Sequence, residues 1–172
     1  MDSLKTKIRS VPDFPKAGIN FFDITTLLRE KDGFRSTIEA LARPFEADKI
    51  DVVVGVESRG FILGGAVADR LGTGFAPVRK KGKLPSKTVQ ETYDLEYGTD
   101  CLEIHSDAVE NGQKVLIIDD VLATGGTAAA TIKLIRRLGG DVRSLAFLIE
   151  LEFLNGRAKL GNEKVFSVLK YS

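Results

Sequence analysis

The sequence predicts an α/β domain in which a Rossmann-like parallel sheet is flanked by helices. Three observations predict it. Short continuous apolar runs, Asp51–Val56 (DVVVGV) and Lys114–Ile118 (KVLII), have the character of strands buried on both faces. Helical patterns lie between the strands, and strands alternating with helices pack as parallel βαβ units. Glycines gather where one pattern gives way to the next: Gly55 and Gly60, Gly64 and Gly65, Gly72 and Gly74, Gly125 and Gly126, Gly139 and Gly140. A length of 172 residues suits one such domain, so residues 1–172 are read as a single unit.

The elements follow in order. Phe34, Ile38, Leu41, Ala42 and Phe45 recur at helical spacing within Gly33–Ala47, and Pro44 should kink or end that helix. Asp51–Val56 is a buried strand, Gly60–Leu71 a helix and Gly74–Val78 a second strand. Lys114–Ile118 is the clearest buried strand. A loop and a helix from about Thr127 to Leu138 follow it, closed by Gly139-Gly140. Val142–Glu150 and Val165–Leu169 are the last strands. Two stretches break this rhythm: Ser10–Leu28, with Pro12, Pro15 and Gly18, and Arg79–Thr99, which opens on Arg79-Lys80-Lys81-Gly82-Lys83. Long connections of this kind in a compact domain are usually functional or mobile.

Composition removes several function classes. Lys and Arg total 25 against 24 Asp and Glu, a net charge of +1, so no global field holds a polyanion. Nucleic acid and membrane surfaces are therefore not expected partners. The start of the chain lacks the apolar core of a secretory signal, and no run approaches the length of a membrane span. A soluble, cytoplasmic protein is expected. One cysteine, Cys101, and one histidine, His105, exclude an internal disulfide and a His-rich metal site. Both fall in a stretch that alternates like a strand and are read as structural.

The chemistry concentrates in Val115–Ala128 (VLIIDDVLATGGTA). A buried strand delivers Asp119 and Asp120 at its carboxyl end, where open α/β sheets bind their ligands. The loop Ala123-Thr124-Gly125-Gly126-Thr127 then enters a helix. Small residues let backbone N–H groups curl around an anion, and the helix N-terminus adds positive potential. Thr124 and Thr127 add hydroxyl donors. This is a site for a phosphate monoester, and the two acids suit sugar hydroxyls or hydrated Mg²⁺. The chain has no Gly-Lys-Ser/Thr, and the loop is not GxGxxG, so neither a P-loop nor a dinucleotide fingerprint is present. A second strand-to-helix junction, Glu57-Ser58-Arg59-Gly60, offers backbone donors and a guanidinium to a more highly charged anion. Arg79, Lys80 and Lys83 could neutralise such an anion as it leaves.

Two acids after a buried strand, running into TGGT, resemble the phosphoribosyl-pyrophosphate signature of the type I phosphoribosyltransferases. Pro12-Asp13-Phe14-Pro15 with Gly18, Asp23-Ile24-Thr25, ESRGF at Glu57–Phe61, RKKGKLP at Arg79–Pro85 and LEYG at Leu95–Gly98 occur in order. With the signature they resemble the adenine phosphoribosyltransferases from roughly Ile8 to Tyr171. The resemblance implies the type I fold, with a small hood at about residues 1–28 and a mobile loop at about 80–99. It implies that Ala123–Thr127 take the 5′-phosphate, that Asp119 and Asp120 approach the ribose hydroxyls, and that Ser58, Arg59 and Gly60 hold pyrophosphate with Arg79, Lys80 and Lys83. Adenine would lie near Asn20, Phe21 and Phe22. The closing loop would bring Glu96, to handle the purine proton or order the loop, and Tyr97. Many members carry a basic residue where this chain has Phe22.

The implied reaction joins adenine to 5-phosphoribosyl 1-pyrophosphate and yields AMP and pyrophosphate. Mg²⁺ would arrive with the substrate, with no direct protein ligand and water-mediated contact to Asp119 and Asp120. A homodimer is implied as well. A transferase for another base, such as xanthine or guanine, would use the same phosphate loops and stays open here. A non-catalytic sensor of the same sugar phosphate would need an added DNA-binding module.

Overall fold

The computed structural model of the protein describes residues 2–94 and 98–172. A seven-stranded sheet runs in the order β5-β6-β4-β3-β7-β8-β9. Its strands are β3 (Val52–Val56), β4 (Gly74–Lys80), β5 (Thr88–Asp94), β6 (Thr99–His105), β7 (Lys114–Leu122), β8 (Asp141–Leu151) and β9 (Val165–Tyr171). Ahead of it come α1 (Asp2–Lys5), a two-stranded antiparallel sheet of β1 (Arg9–Val11) and β2 (Phe21–Asp23), and α2 (Thr25–Leu28). The remaining helices are α3 (Lys31–Ala42), α4 (Arg59–Leu71) and α5 (Gly126–Arg137).

Strands β4, β3, β7, β8 and β9 are parallel, as the buried apolar runs require. Alternation along β3 divides the core. Val53 packs with α3 and α4 on one face, and Val52, Val54 and Val56 pack with α5 on the other. The helix expected over Gly33–Ala47 ends earlier, at Ala42, and continues as a 3₁₀ turn over Arg43–Phe45. Pro44 has no N–H to extend the α-helical ladder.

The sheet is not parallel throughout. The stretch that broke the βαβ rhythm contains β5, which pairs antiparallel with β6 over Thr88–Asp94, and β6 joins β4 antiparallel through Arg79 and Lys80. Polar alternation in TVQETYD fits a hairpin with one face on the protein and one in solvent. Glu103 on β6 is buried and accepts the backbone N–H groups of Lys83 (3.0 Å) and Leu84 (2.9 Å), which fixes the turn between β4 and β5.

The hood is tied down by apolar and ionic contacts. Ile24 and Leu27 are fully buried in the α3–α4 side of the core. Phe22 stacks against Tyr171 with centroids 4.0 Å apart, and the Lys5 ammonium lies 4.2 Å above the same tyrosine ring. Asp23 accepts two bonds from Arg9 (2.8 and 3.1 Å) and two from the backbone N–H and hydroxyl of Thr25 (2.9 and 2.7 Å). These donors, the Thr25 hydroxyl foremost, hold its carboxyl below the ordinary range.

Candidate functional site

The carboxyl ends of β3 and β7 lie side by side, each leading into the N-terminus of a helix. Gly60, in the first turn of α4, makes the close approach possible: a Cβ there would fall 2.9 Å from Asp119 Oδ1. The Asp120 backbone N–H donates to Asp119 Oδ1 at 2.8 Å, and Asp120 is itself ion-paired with Arg59. Burial and the neighbouring Asp120 charge push the Asp119 carboxyl well above its ordinary pKa.

Ala123–Thr127 form a tight turn over a hollow of about 80 Å³, which Asp119 also lines. Gly125 has φ +80°, and a Cβ there would lie 2.3 Å from the Gly156 carbonyl oxygen. Only glycine satisfies both conditions. No side chain caps α5, so the N–H groups of its first turn remain available to an anion.

Beside this hollow is a cleft of about 490 Å³ lined by residues that include Ser58, Arg59, Lys80, Asp100, Asp119 and Thr127. Its cations are held by acids. Arg59 pairs with Asp120, and Lys80 with Asp100 at 3.0 Å. Arg79 and Lys83 do not line the cleft themselves but both reach its Glu57, at 3.2 and 2.7 Å. Burial alone would raise the Glu57 carboxyl. Hydrogen bonds from Arg79, Lys83 and the Lys80 backbone N–H outweigh it and hold the group at about 2. Ser58 and Gly60 open α4, and the Glu57–Ser58 peptide is cis.

A third hollow, about 570 Å³, lies between the hood and the end of β8. Its walls are Lys16 to Asn20 on one side and Leu151, Phe153 and Leu154 on the other, with Thr124 at the junction. Phe153 and Leu154 are exposed apolar side chains on a 3₁₀ turn. Arg157 anchors that segment through a bidentate contact to the buried Glu150, at 2.5 and 2.7 Å. Asn20 accepts from the Ser10 hydroxyl at 2.7 Å. Successive residues of β2 diverge. Phe21 faces the Arg59 guanidinium, 5.5 Å from its ring centroid, and the Phe22 side chain turns to Tyr171. Phe22 therefore joins hood to core instead of lining this cavity.

The surface hollow of about 930 Å³ between α3, the Pro44 turn and Arg70 is larger, but of the strands only the start of β9, at Phe166, reaches it, and no carboxyl strand end lines it. Its rim is closed by Arg70 paired with Glu39 and Glu46. Glu96 and Tyr97 lie outside the described residues. Cys101 and His105 are half-buried on β6. The sequence did not single out Glu57, Asp100, Phe153 or Leu154. Glu57 stood inside the quoted ESRG motif, and Phe153-Leu154 directly after a buried strand was the available signal for the third wall.

The family model of the phosphoribosyl transferase domain matches residues 23–166. An adenine phosphoribosyltransferase of Geobacter metallireducens is 58% identical over 99% of this chain and 100% of that protein. The chain belongs to the adenine phosphoribosyltransferase family. Solved structures of the family carry the same fold. That from Rhodothermus marinus superposes with a TM-score of 0.94 at 57% identity, covering 99% of this chain and 97% of the other. A Saccharomyces cerevisiae member, complexed with an imino-altritol bisphosphate and adenine, gives 0.93 at 44% identity, covering 98% and 97%. The chain is accordingly a phosphoribosyl-transferring enzyme of purine salvage.

Proposed function

We propose that the three hollows hold the three parts of one reacting assembly: the 5′-phosphate on Ala123–Thr127, pyrophosphate in the cleft, and adenine in the hood cavity. The observation that carries this reading is their contiguity. Thr124 lines both the phosphate hollow and the hood cavity, while Asp119 and Thr127 line both the phosphate hollow and the cleft. A ribose lying over Asp119 would reach all three.

The reaction is transfer of phosphoribosyl from 5-phosphoribosyl 1-pyrophosphate to adenine, giving AMP and pyrophosphate. The bond from ribose C1 to adenine N9 forms as the bond from C1 to the pyrophosphate oxygen breaks. In this reading Ser58, Arg59, Gly60, Arg79, Lys80 and Lys83 take the charge that develops on the leaving group, where fixed donors act most strongly. Asp119 and Asp120 receive the ribose hydroxyls. Asn20 and the face of Phe21, with Phe153 and Leu154, hold the purine ring. Glu96, which like Tyr97 lies outside the described residues, is assigned the purine proton or the ordering of the segment that excludes water, and Tyr97 is assigned to that segment.

Among the described residues no three metal-ligating side chains converge, and the two adjacent carboxylates suit a hydrated cation brought in by the substrate. Mg²⁺ bound in this way would neutralise charge on the pyrophosphate, with Asp119 and Asp120 reached through water. Homodimeric assembly and a cytoplasmic location belong to the same reading. Among the described residues no helix is long and apolar enough to cross a membrane.

Turnover with each purine base in turn, with and without Mg²⁺, tests the proposal. Adenine should be used far more efficiently than guanine, hypoxanthine or xanthine, and only with the cation. A preference for a 6-oxopurine would overturn the assignment of the hood cavity.

A further inference from the structure

Lys80 ends β4 at the cleft, and its flexible stem would otherwise let the ammonium swing into solvent. Asp100, on β6, holds it at 3.0 Å. That carboxylate is itself fixed. Its Oδ2 accepts the hydroxyl of Tyr93 at 3.4 Å, and its Oδ1 accepts the Cys101 backbone N–H at 2.8 Å. Tyr93 stands directly opposite Asp100 in the β5–β6 register. The tyrosine hydroxyl also accepts from Thr127 Oγ1 at 3.3 Å, so the chain of contacts runs from the phosphate loop to Lys80. The hydrogen bond to Asp100 raises the Lys80 pKa and keeps the ammonium charged.

We infer that Asp100 is a positioning residue for pyrophosphate: it holds Lys80 as a resident counter-ion, and pyrophosphate must displace it to take that ammonium. The inference rests on the placing of Lys80 in the pyrophosphate site. Binding is then an exchange of one anion for another. The ammonium is pre-placed, yet the net gain on binding is reduced because an existing ion pair is given up. Release is eased by the same amount, since Asp100 reclaims Lys80 as pyrophosphate departs. In a reaction whose leaving group carries several charges, this limits product trapping.

The experiment measures pyrophosphate affinity by calorimetry in the presence of Mg²⁺, together with kcat and the KM for the phosphoribosyl donor. The variants are Asp100→Asn, Lys80→Ala and the double variant. Asparagine keeps the Oδ1 acceptor for the Cys101 backbone N–H, while its Nδ2, in place of Oδ2, donates to the Tyr93 hydroxyl and has no charge for Lys80. Asp100→Asn is expected to tighten pyrophosphate about two- to fivefold, within the strength of a partly exposed ion pair. It should lower the donor KM and lower kcat, as expected when release slows. In the Lys80→Ala background the same change should give no gain.

An equal gain in both backgrounds would mean simple repulsion between Asp100 and pyrophosphate, and would overturn the inference. So would unchanged or weaker binding in Asp100→Asn when Lys80→Ala does weaken it. If Lys80→Ala binds pyrophosphate as well as the parent protein, Lys80 leaves the pyrophosphate site, and the site reading and this inference fall together.

Discussion

At the residue scale, Asp119 shows how one side chain serves two neighbours. It borders the phosphate hollow and the cleft, and its buried carboxyl is held high in pKa beneath the first turn of α4. Replacing it by alanine removes an acid held at a raised pKa and gives up one backbone hydrogen bond, that from the Asp120 N–H. Asp119→Ala is expected to lose at least about a hundredfold in AMP formation, on the scale of a lost transition-state partner. Its melting temperature should stay close to that of the parent, and near-normal turnover would contradict the site assignment. Glu57 behaves in the opposite sense. Its carboxyl sits at about 2 in the fold against 4.5 ordinarily, so the folded state binds fewer protons. The stability it contributes is complete above pH 4.5 and is lost as the pH falls toward 2. Urea unfolding of the parent and Glu57→Gln should therefore differ at pH 7, and the difference should shrink at pH 3. A difference independent of pH would remove Glu57 from its place among the cations.

At the scale of elements, what was legible follows from burial. Strands β3 and β7 lie under helices on both faces, so their sequences are apolar runs bounded by glycine. The Ala123–Thr127 turn could be read as a candidate anion site because small residues between such a strand and a helix serve few other purposes. The β5–β6 hairpin was not legible as sheet. One of its faces meets solvent, so its polar alternation resembles a surface connection. The acids that hold the cations were hidden for a related reason: Glu57 and Arg79 meet across 22 residues of sequence, and Lys80 and Asp100 across 20. Spacing along a chain cannot show which cation an acid will face.

The segment after β8 illustrates a similar dependence on distant contacts. Its apolar side chains stay exposed because Arg157 pins the turn to Glu150 and also donates to the Val165 carbonyl at 3.2 Å. Removing the arginine strands a buried carboxylate. Arg157→Ala should cost roughly 2–3 kcal/mol in unfolding free energy, below the range for fully buried pairs because the arginine is partly exposed. The KM for adenine should rise more than that for the phosphoribosyl donor. Equal effects on both would show that Phe153 and Leu154 do not form the purine wall.

For the whole molecule, a net charge of +1 conceals strong local order. The four cations around the cleft pair with three acids, Glu57 being shared by Arg79 and Lys83, so the site carries only a small uncompensated field before ligand arrives. Selectivity for a compact polyanion then comes from geometry, because long polyanions gain nothing from charges already neutralised. The hood contributes a wall and a guanidinium contact through Phe21, and its hold on the body runs through Phe22, Tyr171 and Lys5. A single chain thus brings its first strands and its last to the same end of the sheet.

Gly125 and Gly156 touch main chain to main chain, with no room for even a methyl group between them. The Ala123–Thr127 loop and the segment that follows Phe153 and Leu154 are consequently joined through their backbones. In the proposed reading the distance from phosphate to purine is set by peptide units, which do not change rotamer. With phosphate and purine placed as proposed, that contact is a ruler graduated for one pentose between one phosphate and one flat ring. Side chains along the ruler can drift in evolution while its length stays the same.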